Sequence, residues 1–166
     1  NFFWRISLIP YFLKWVHHFF LRKKWKKLYL SIGVEKFYYV NRLSGSIYII
    51  NLIKAIKVFC KITCKSDILN LNQNEIKCGD LIYDSYLRFE NKPTVSISDL
   101  TLISYIHDCF NQISYFENLS KKVKIENYYS PFSSYISHGI PVRVFLKNNI
   151  KIQINHYTVT GEIKNK

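Results

Sequence analysis

The segment 79–89 combines carboxylates, a guanidinium and phenols at helical spacing: Asp80, Tyr83, Asp84, Tyr86 and Arg88. Asp80 follows a glycine and is of a type that caps helices, so the segment predicts a short helix that begins there. Asp84 can accept the proton of an attacking hydroxyl, and Arg88 can bind a phosphate. The predicted apolar face of this helix is Leu81, Ile82, Ser85 and Phe89, with Leu87 near its boundary. Such a helix suits a cleft for a polar ligand. It also suits an ordinary surface helix in which Asp84 and Arg88 form an ion pair one turn apart.

A second polar segment lies between a predicted strand over residues 123–129 and a predicted helix that reaches Lys147. Its candidate ligand-binding residues are Ser133, Ser134, Tyr135 and Arg143. Hydroxyl groups and free amides at the start of a helix can hold a phosphate or a sugar hydroxyl. His138 can act as a base near neutral pH, although a lone histidine more often lies in a core or on a surface. Arg143 can pair with a phosphate or with a neighbouring carboxylate.

Helices and strands alternate along the chain. We predict strands at 36–40, 123–129 and 150–154, and a final hairpin at Thr160–Gly161. We predict a helix at 47–65, with its isoleucines mostly inward, a polar loop over 70–77, and a helix at 100–119 with Ser98 and Asp99 as candidate caps. The predicted apolar stripe of the helix at 100–119 is Leu102, Ile103, Ile106, Phe110 and Ile113. Strands separated by helices of these lengths predict an α/β fold, a Rossmann-like and mainly parallel sheet with flanking helices. The ligand cleft of such a sheet lies beyond the carboxyl ends of its strands.

Residues 1–27 form a separate aromatic-basic, amphipathic helical segment in this interpretation. Its predicted membrane-surface residues are Trp15, Arg22, Lys23, Lys24, Trp25, Lys26 and Lys27. Aromatic rings followed by cations are typical of a helix that lies at the surface of an anionic membrane. Charged residues and a proline interrupt the apolar run, which is unlike a spanning helix. A core-packing helix with a solvated end remains the alternative.

Composition narrows the function classes. The 166 residues carry a net charge of +13, which favours an anionic partner, although abundant lysine, asparagine and isoleucine also follow from an AT-rich genome. The four cysteines do not form a zinc set, even though Cys60 and Cys64 would share a helix face, so no metal is expected. No glycine-rich phosphate loop is present, so no nucleotide cofactor is expected. The chain starts at Asn1 and contains no methionine, which predicts a processed chain or a fragment.

Two motifs resemble the capsule and surface-carbohydrate biosynthesis proteins of bacteria: GDLIYDSYLR at 79–88 and YISHGIPVRV at 135–144. The segment LYLSIGV at 28–34 is similar to their N-terminal region, and the resemblance extends over most of residues 25–155. It implies that residues 28–166 are the N-terminal half of a glycosyltransferase with two Rossmann-like domains, the GT-B type. That half holds the acceptor and often the catalytic base, whereas the C-terminal half holds the nucleotide sugar.

The resemblance implies transfer of a sugar from a nucleotide-sugar donor to a glycan or lipid-linked acceptor, in the cytoplasm and peripherally at the inner membrane. Asp84 and His138 are then the candidate catalytic residues. The nucleotide sugar is a substrate and no cofactor is expected. The alternative is a basic, non-enzymatic module that binds a membrane surface or nucleic acid. Nucleic acid is the less favoured partner because no recognised RNA- or DNA-binding motif is present.

Overall fold

The computed structural model describes residues 25–38, 43–156 and 159–163. The chain divides into two compact units, Asn1–Asn41 and Arg42–Lys166. In the first unit, residues 25–31 form helix α1, which ends in a turn at Gly33, whose φ of +89° favours glycine. Residues 34–38 are neither helix nor strand, so the strand predicted at 36–40 is wrong over its described part.

The second unit contains five α-helices, a single π-helical turn and five short strands among its described residues. In chain order these are α2 (Gly45–Phe59), α3 (Lys65–Leu69), β1 (Asn72–Gln73), β2 (Ile76–Lys77), α4 (Gly79–Glu90), α5 (Thr101–Lys122), β3 (Asn127–Ser130), the π-turn (Tyr135–Gly139), α6 (Ile140–Lys147), β4 (Lys151–His156) and β5 (Val159–Ile163). The prediction of a mixed helix-and-strand fold is confirmed.

Helix α5 is the central element of the core. Its predicted apolar stripe is fully or almost fully buried, and α2, α4, α6 and the π-turn all contact it. The stripe consists of Leu102, Ile103, Ile106, Phe110 and Ile113. The Asp99 carboxylate accepts a hydrogen bond from the amide of Thr101 at 2.9 Å, which stabilises the start of α5, although the N-cap position is Leu100 and not the predicted Ser98 or Asp99.

Only a narrow side of helix α2 is buried, and that side contains a polar residue. Asn51 and Ala55 are its buried residues, and the Asn51 amide donates to the Asn111 and Ser114 side chains of α5 at 3.0 and 3.1 Å. The isoleucines Ile49, Ile50, Ile53 and Ile56 are instead 58, 51, 48 and 42% exposed. The prediction that they point inward is therefore wrong, because a buried asparagine network decides which side of α2 meets α5.

Helix α2 also ends earlier than predicted. The Asp67 carboxylate accepts hydrogen bonds from the amides of Thr63 and Cys64 at 2.8 and 3.0 Å, which starts the separate helix α3. These hydrogen bonds lower the pKa of Asp67 to about 2, and the bond from the Thr63 amide has the largest effect. Cys60 caps the end of α2 and Cys64 the start of α3, so the two thiols do not share a helix face.

A β-α-β unit follows α5. Strands β3 and β4 pair in parallel, from Asn127 opposite Lys151 to Ser130 opposite Ile154, and the π-turn and α6 connect them. Strand β5 pairs with β4 antiparallel, and Gly161 lies inside β5 rather than at the predicted turn. The segment 70–77, predicted as a loop, contains the antiparallel β1–β2 hairpin. Of the three strand pairs in the described ranges only β3–β4 is parallel, so the predicted mainly parallel sheet is not confirmed there.

Within residues 25–38, 43–156 and 159–163, no helix combines the length and the apolar character that crossing a lipid bilayer requires.

Candidate functional site

The π-turn packs directly on helix α4, so the two polar segments singled out in the sequence meet. The buried Ser85 hydroxyl of α4 accepts a hydrogen bond from the amide of Ile136 at 2.9 Å, across 51 residues of sequence. A Cβ atom on Gly139 would lie 2.5 and 2.6 Å from the methyl carbons of Leu81. The same Cβ would lie 2.7 Å from the backbone carbonyl oxygen of Ser133, so a larger residue at 139 would have to displace Leu81 and the turn itself, and glycine avoids both.

A cleft of about 370 Å³ opens between α4 and the start of the π-turn. Its lining residues are Asp84, Leu87, Arg88, Asn91, Ser134 and Tyr135. Ser134 and Tyr135 follow β3, so the cleft lies beyond the carboxyl end of a parallel strand. Ligands of α/β proteins bind at that position. The volume lies within the range of roughly 300–1,000 Å³ that is usual for small-molecule sites.

The charged groups of the cleft are available to a ligand. Asp84 and Arg88 are exposed, and neither forms an ion pair or a hydrogen bond with another side chain that the structure describes. The surface ion pair that their spacing also allowed is therefore not formed. The carboxylate of Asp84 only accepts hydrogen bonds, whereas the guanidinium of Arg88 only donates them, so together they match a ligand rich in hydroxyl groups.

Tyr135 adopts a backbone conformation that is rare for its residue type. Its φ is +60°, in the left-handed region, where a bulky side chain is strained. Strain of this kind is characteristic of residues that a site holds in a defined position. The Tyr135 ring lies 6.2 Å from the ring of Phe89, which is 62% exposed. Phe89 was predicted on the buried face of the helix. It lies instead beside the cleft, next to Tyr135.

Asp80 and Arg143 bind each other. The Arg143 guanidinium donates to both carboxylate oxygens of Asp80, at 2.6 and 2.5 Å, and to the carbonyl of Lys77 at 2.6 Å. The hydrogen bond from Arg143 is the main reason that the pKa of Asp80 is lowered. Cys78, not Asp80, is the N-cap of α4, so the predicted capping role is wrong. This pair joins α4 to α6, and its geometry does not support the predicted substrate-binding role of either residue.

Tyr86 also stabilises the fold. Its side chain is fully buried, its hydroxyl donates to Asp99, and Lys92 donates to the same hydroxyl at 2.9 Å. Burial opposes ionisation of Asp99, yet the hydrogen bonds from Lys92 and Tyr86 hold its pKa well below the usual range. The three side chains tie the end of α4 to the start of α5. The position of Tyr86 therefore does not support its predicted contact with substrate.

The other predicted site residues do not line the cleft. Tyr83 is half-buried on α4, Ser133 is exposed just before the π-turn, and His138 packs its ring edge-on against Phe132 at 5.6 Å.

Of the predicted membrane-surface residues, Trp25, Lys26 and Lys27 are exposed on α1. The remaining four, Trp15, Arg22, Lys23 and Lys24, lie outside the described residues.

Sequence reasoning missed two residues that line the cleft. The sequence predicts Leu87 near the boundary of the apolar face. It predicts Asn91 only as part of the segment 91–93 that ends the helix. Asn91 ends α4 in the left-handed conformation, with φ of 52°, which brings its amide beside the last turn of the helix. A helix-terminating asparagine next to a candidate binding residue, Arg88, was the signal available in the sequence. Within the part of the chain that the structure describes, no cluster of three metal-ligating side chains occurs.

Comparison with known proteins returns no family. No family model matches the chain, and no curated protein or solved structure is significantly similar to it.

Proposed function

We propose that the cleft between α4 and the π-turn binds a saccharide acceptor, as the acceptor-side domain of a surface-polysaccharide glycosyltransferase. The observation that carries the proposal is that Asp84 and Arg88 line one open cleft with Ser134 and Tyr135, which lie 46 or more residues further along the chain. These residues supply acceptors, donors and an aromatic ring. Sugars bind through such groups, because they present hydroxyls at their edges and C–H groups on their faces.

The charge of the cleft favours an uncharged hydroxyl ligand over a nucleotide. A diphosphate bound at Arg88 would also meet the negative charge of Asp84, one helical turn away. The amide of Ile136, at the start of the π-turn, already donates to Ser85 and is not available to a phosphate. The nucleotide-sugar donor is therefore assigned to a different surface, and this cleft to the acceptor.

Asp84 is the proposed general base. A carboxylate within hydrogen-bonding reach of the acceptor hydroxyl takes up its proton while the oxygen attacks the anomeric carbon of the donor sugar. The bond from that carbon to the nucleotide phosphate breaks, and the nucleotide leaves with the electron pair. Arg88 and Ser134 hold neighbouring hydroxyls, and the Tyr135 ring packs against the sugar face. His138 remains a second candidate base from the sequence, although it is not among the residues that line the cleft.

The proposal includes the finer predictions made from the resemblance. The parallel pair β3–β4 with its connecting helix supports a Rossmann-like layer of the GT-B type. The acceptor is a glycan or a lipid-linked sugar, the nucleotide sugar is a substrate, and the protein acts in the cytoplasm at the inner membrane surface. No cofactor takes part in this scheme.

Saccharide titration of the full chain tests the proposal. We expect a panel of bacterial oligosaccharides, read by ligand-observed NMR, to contain a ligand that binds the wild-type chain. Asp84→Ala should weaken that ligand at least about tenfold, since it removes a charged hydrogen-bond acceptor. Glu126→Gln, which changes an exposed carboxylate outside the cleft, is the matched control and should bind like the wild type.

Two results would contradict the proposal. One is a saccharide that binds the wild type and Asp84→Ala equally well, which would place its site elsewhere. The other is an absence of saccharide binding together with oligonucleotide binding that falls steeply with added salt, which would favour the basic binding module. In a transfer assay of an enzyme that joins this domain to the donor-binding half, Asp84→Asn should lower the rate at least about 100-fold while affinity for the acceptor changes less.

A further inference from the structure

The outward side of helix α2 is an apolar stripe with cations along it. Ile49, Ile53 and Ile56 recur at intervals of four and three residues and Ile50 lies beside them, on the side of α2 opposite Asn51 and Ala55. Lys54 and Lys57 are exposed next to this stripe. These four isoleucines and two lysines are called the isoleucine–lysine face below. A contiguous apolar patch on a folded surface marks a site of interaction.

The charge of this face selects the partner. Helix α2 contains no aspartate or glutamate over its whole described length, Gly45–Phe59, and Lys61 adds a third exposed cation just after it. An apolar stripe on a helix whose only charged residues are lysines complements a surface that is apolar inside and anionic outside. Anionic lipid bilayers have that composition, since their acyl chains lie below a layer of negatively charged headgroups.

We propose that the isoleucine–lysine face of α2 binds the surface of an anionic lipid bilayer. The helix lies in the plane of the interface, with its isoleucines at the boundary between headgroups and acyl chains and its lysines among the headgroups. This contact does not depend on the glycosyltransferase assignment, because no residue of the saccharide cleft contributes to it.

The geometry disfavours a second copy of the chain on the same face. A two-fold dimer through this face would place the same surface on both partners. Lys54 and Lys57 of one copy would then border the same lysines of the other, with no carboxylate of α2 between them. A bilayer supplies the negative charge that such a dimer lacks.

Helix α2 is already ordered without lipid. The Ser44 hydroxyl caps its start by accepting from the amide of Ile47 at 3.4 Å, and the Asn51 side chain donates to three groups of α5. Substitutions on the exposed isoleucines therefore leave the contacts with α5 in place. This makes the face testable in a folded protein.

A local probe gives the decisive measurement. Ile53→Cys in the full chain, with Cys60→Ser and Cys64→Ser, places a fluorescent label on the face, while Cys78 and Cys109 stay buried and unlabelled. The matched control is Lys121→Cys in the same background, at the exposed end of α5. With vesicles of phosphatidylcholine and 30% phosphatidylserine that carry nitroxide lipids, we expect quenching of the label at 53 and none at 121.

Vesicle co-sedimentation of the unlabelled chain gives the second readout. Ile49→Ser with Ile53→Ser, and separately Lys54→Gln with Lys57→Gln, should each weaken binding to the same vesicles about tenfold. Lys121→Gln with Lys122→Gln removes the same charge from the end of α5 and should change binding less. Vesicles of phosphatidylcholine alone should bind the wild type more weakly than the anionic vesicles do.

Three results would overturn the proposal. The first is a wild-type chain that does not bind anionic vesicles. The second is a label at position 53 that stays unquenched on vesicles to which the chain is bound, as contact through residues 1–27 alone would produce. The third is a chain that self-associates without lipid and becomes monomeric on Ile53→Asp, which would make the face an interface between copies.

Discussion

At the scale of single residues, helix α4 separates the side chains that hold the fold from those that face the cleft. Asp80, Asp84 and Arg88 lie on one side of the helix because they are spaced by four residues. Arg143 of helix α6 reaches the first turn and binds Asp80, whereas Asp84 and Arg88, on the next two turns, stay exposed. The same spacing therefore produces a structural ion pair at one end and two available charges at the other.

Two glycines allow a direct test of close packing. A Cβ on Gly79 would lie 1.9 Å from the carbonyl oxygen of Ile68, a backbone atom that cannot move aside without displacing α3. We expect Gly79→Ala to lower the free energy of unfolding by about 3 kcal/mol, as overpacking in a core does. Gly45 meets nothing within 4 Å, so Gly45→Ala is the control and should change stability by less than about 1 kcal/mol.

Urea denaturation of the three proteins, followed by circular dichroism, measures both effects. A Gly79→Ala variant as stable as the wild type would show that α3 and α4 are not packed as closely as described.

At the scale of elements, the cleft depends on how the π-turn sits on α4. The Ser85 hydroxyl binds the Ile136 amide, the Leu81 side chain fills the space that Gly139 leaves, and the turn then continues into α6. These contacts of neighbouring residues fix the positions of Ser134 and Tyr135. The buried contacts between α4 and the π-turn therefore determine the geometry of the cleft.

Ser85→Ala tests that dependence. The substitution leaves the buried Ile136 amide without its partner, so we expect a loss of about 1–3 kcal/mol in the free energy of unfolding. We also expect weaker binding of the saccharide that the wild type selects, although Ser85 does not line the cleft. Ser137→Ala changes an exposed hydroxyl in the same turn and should affect neither quantity. Equal saccharide affinities for wild type and Ser85→Ala would mean that the turn keeps its place without this bond.

At the scale of the whole molecule, the net charge of +13 makes stability sensitive to acid. Burial lowers the pKa of His107, and hydrogen bonds lower those of Asp80 and Asp99. In each case the unfolded chain binds a proton more readily than the folded chain does. The free energy of unfolding therefore decreases as the pH falls below each unfolded-state pKa.

Two steps of destabilisation are expected on that basis. The His107 contribution decreases as the pH drops below about 6.5, and those of Asp80 and Asp99 decrease below about pH 4. Urea denaturation at pH 7.5, 5.5 and 3 measures both steps. His107→Gln should reduce the first, and Asp99→Asn the second. A stability that stays constant between pH 7.5 and 3 would contradict the hydrogen bonds described for these carboxylates.

Much of the second unit follows from local patterns. The buried stripe of α5 and the order strand, loop, helix, strand over 127–156 were both predicted, because each is written in the periodicity of neighbouring residues. The rule for parallel strands predicted a cleft after the strand at 123–129, but it did not show that segment 79–90 would line the same cleft. The β1–β2 hairpin was missed because Asn74 and Glu75 turn the chain without a glycine.

The sequence by itself determined the long helices α4 and α5, the positions of Asp84 and Arg88 along α4, and the mixture of helices and strands. Only the tertiary structure decided which side of each helix is covered. Periodicity shows that α2 has an apolar stripe, but the hydrogen bonds of Asn51 turn that stripe outward. The sequence likewise could not show that Arg143 pairs with Asp80 and leaves Asp84 open. Which aspartate is paired depends on a contact between residues that are 63 positions apart in the chain.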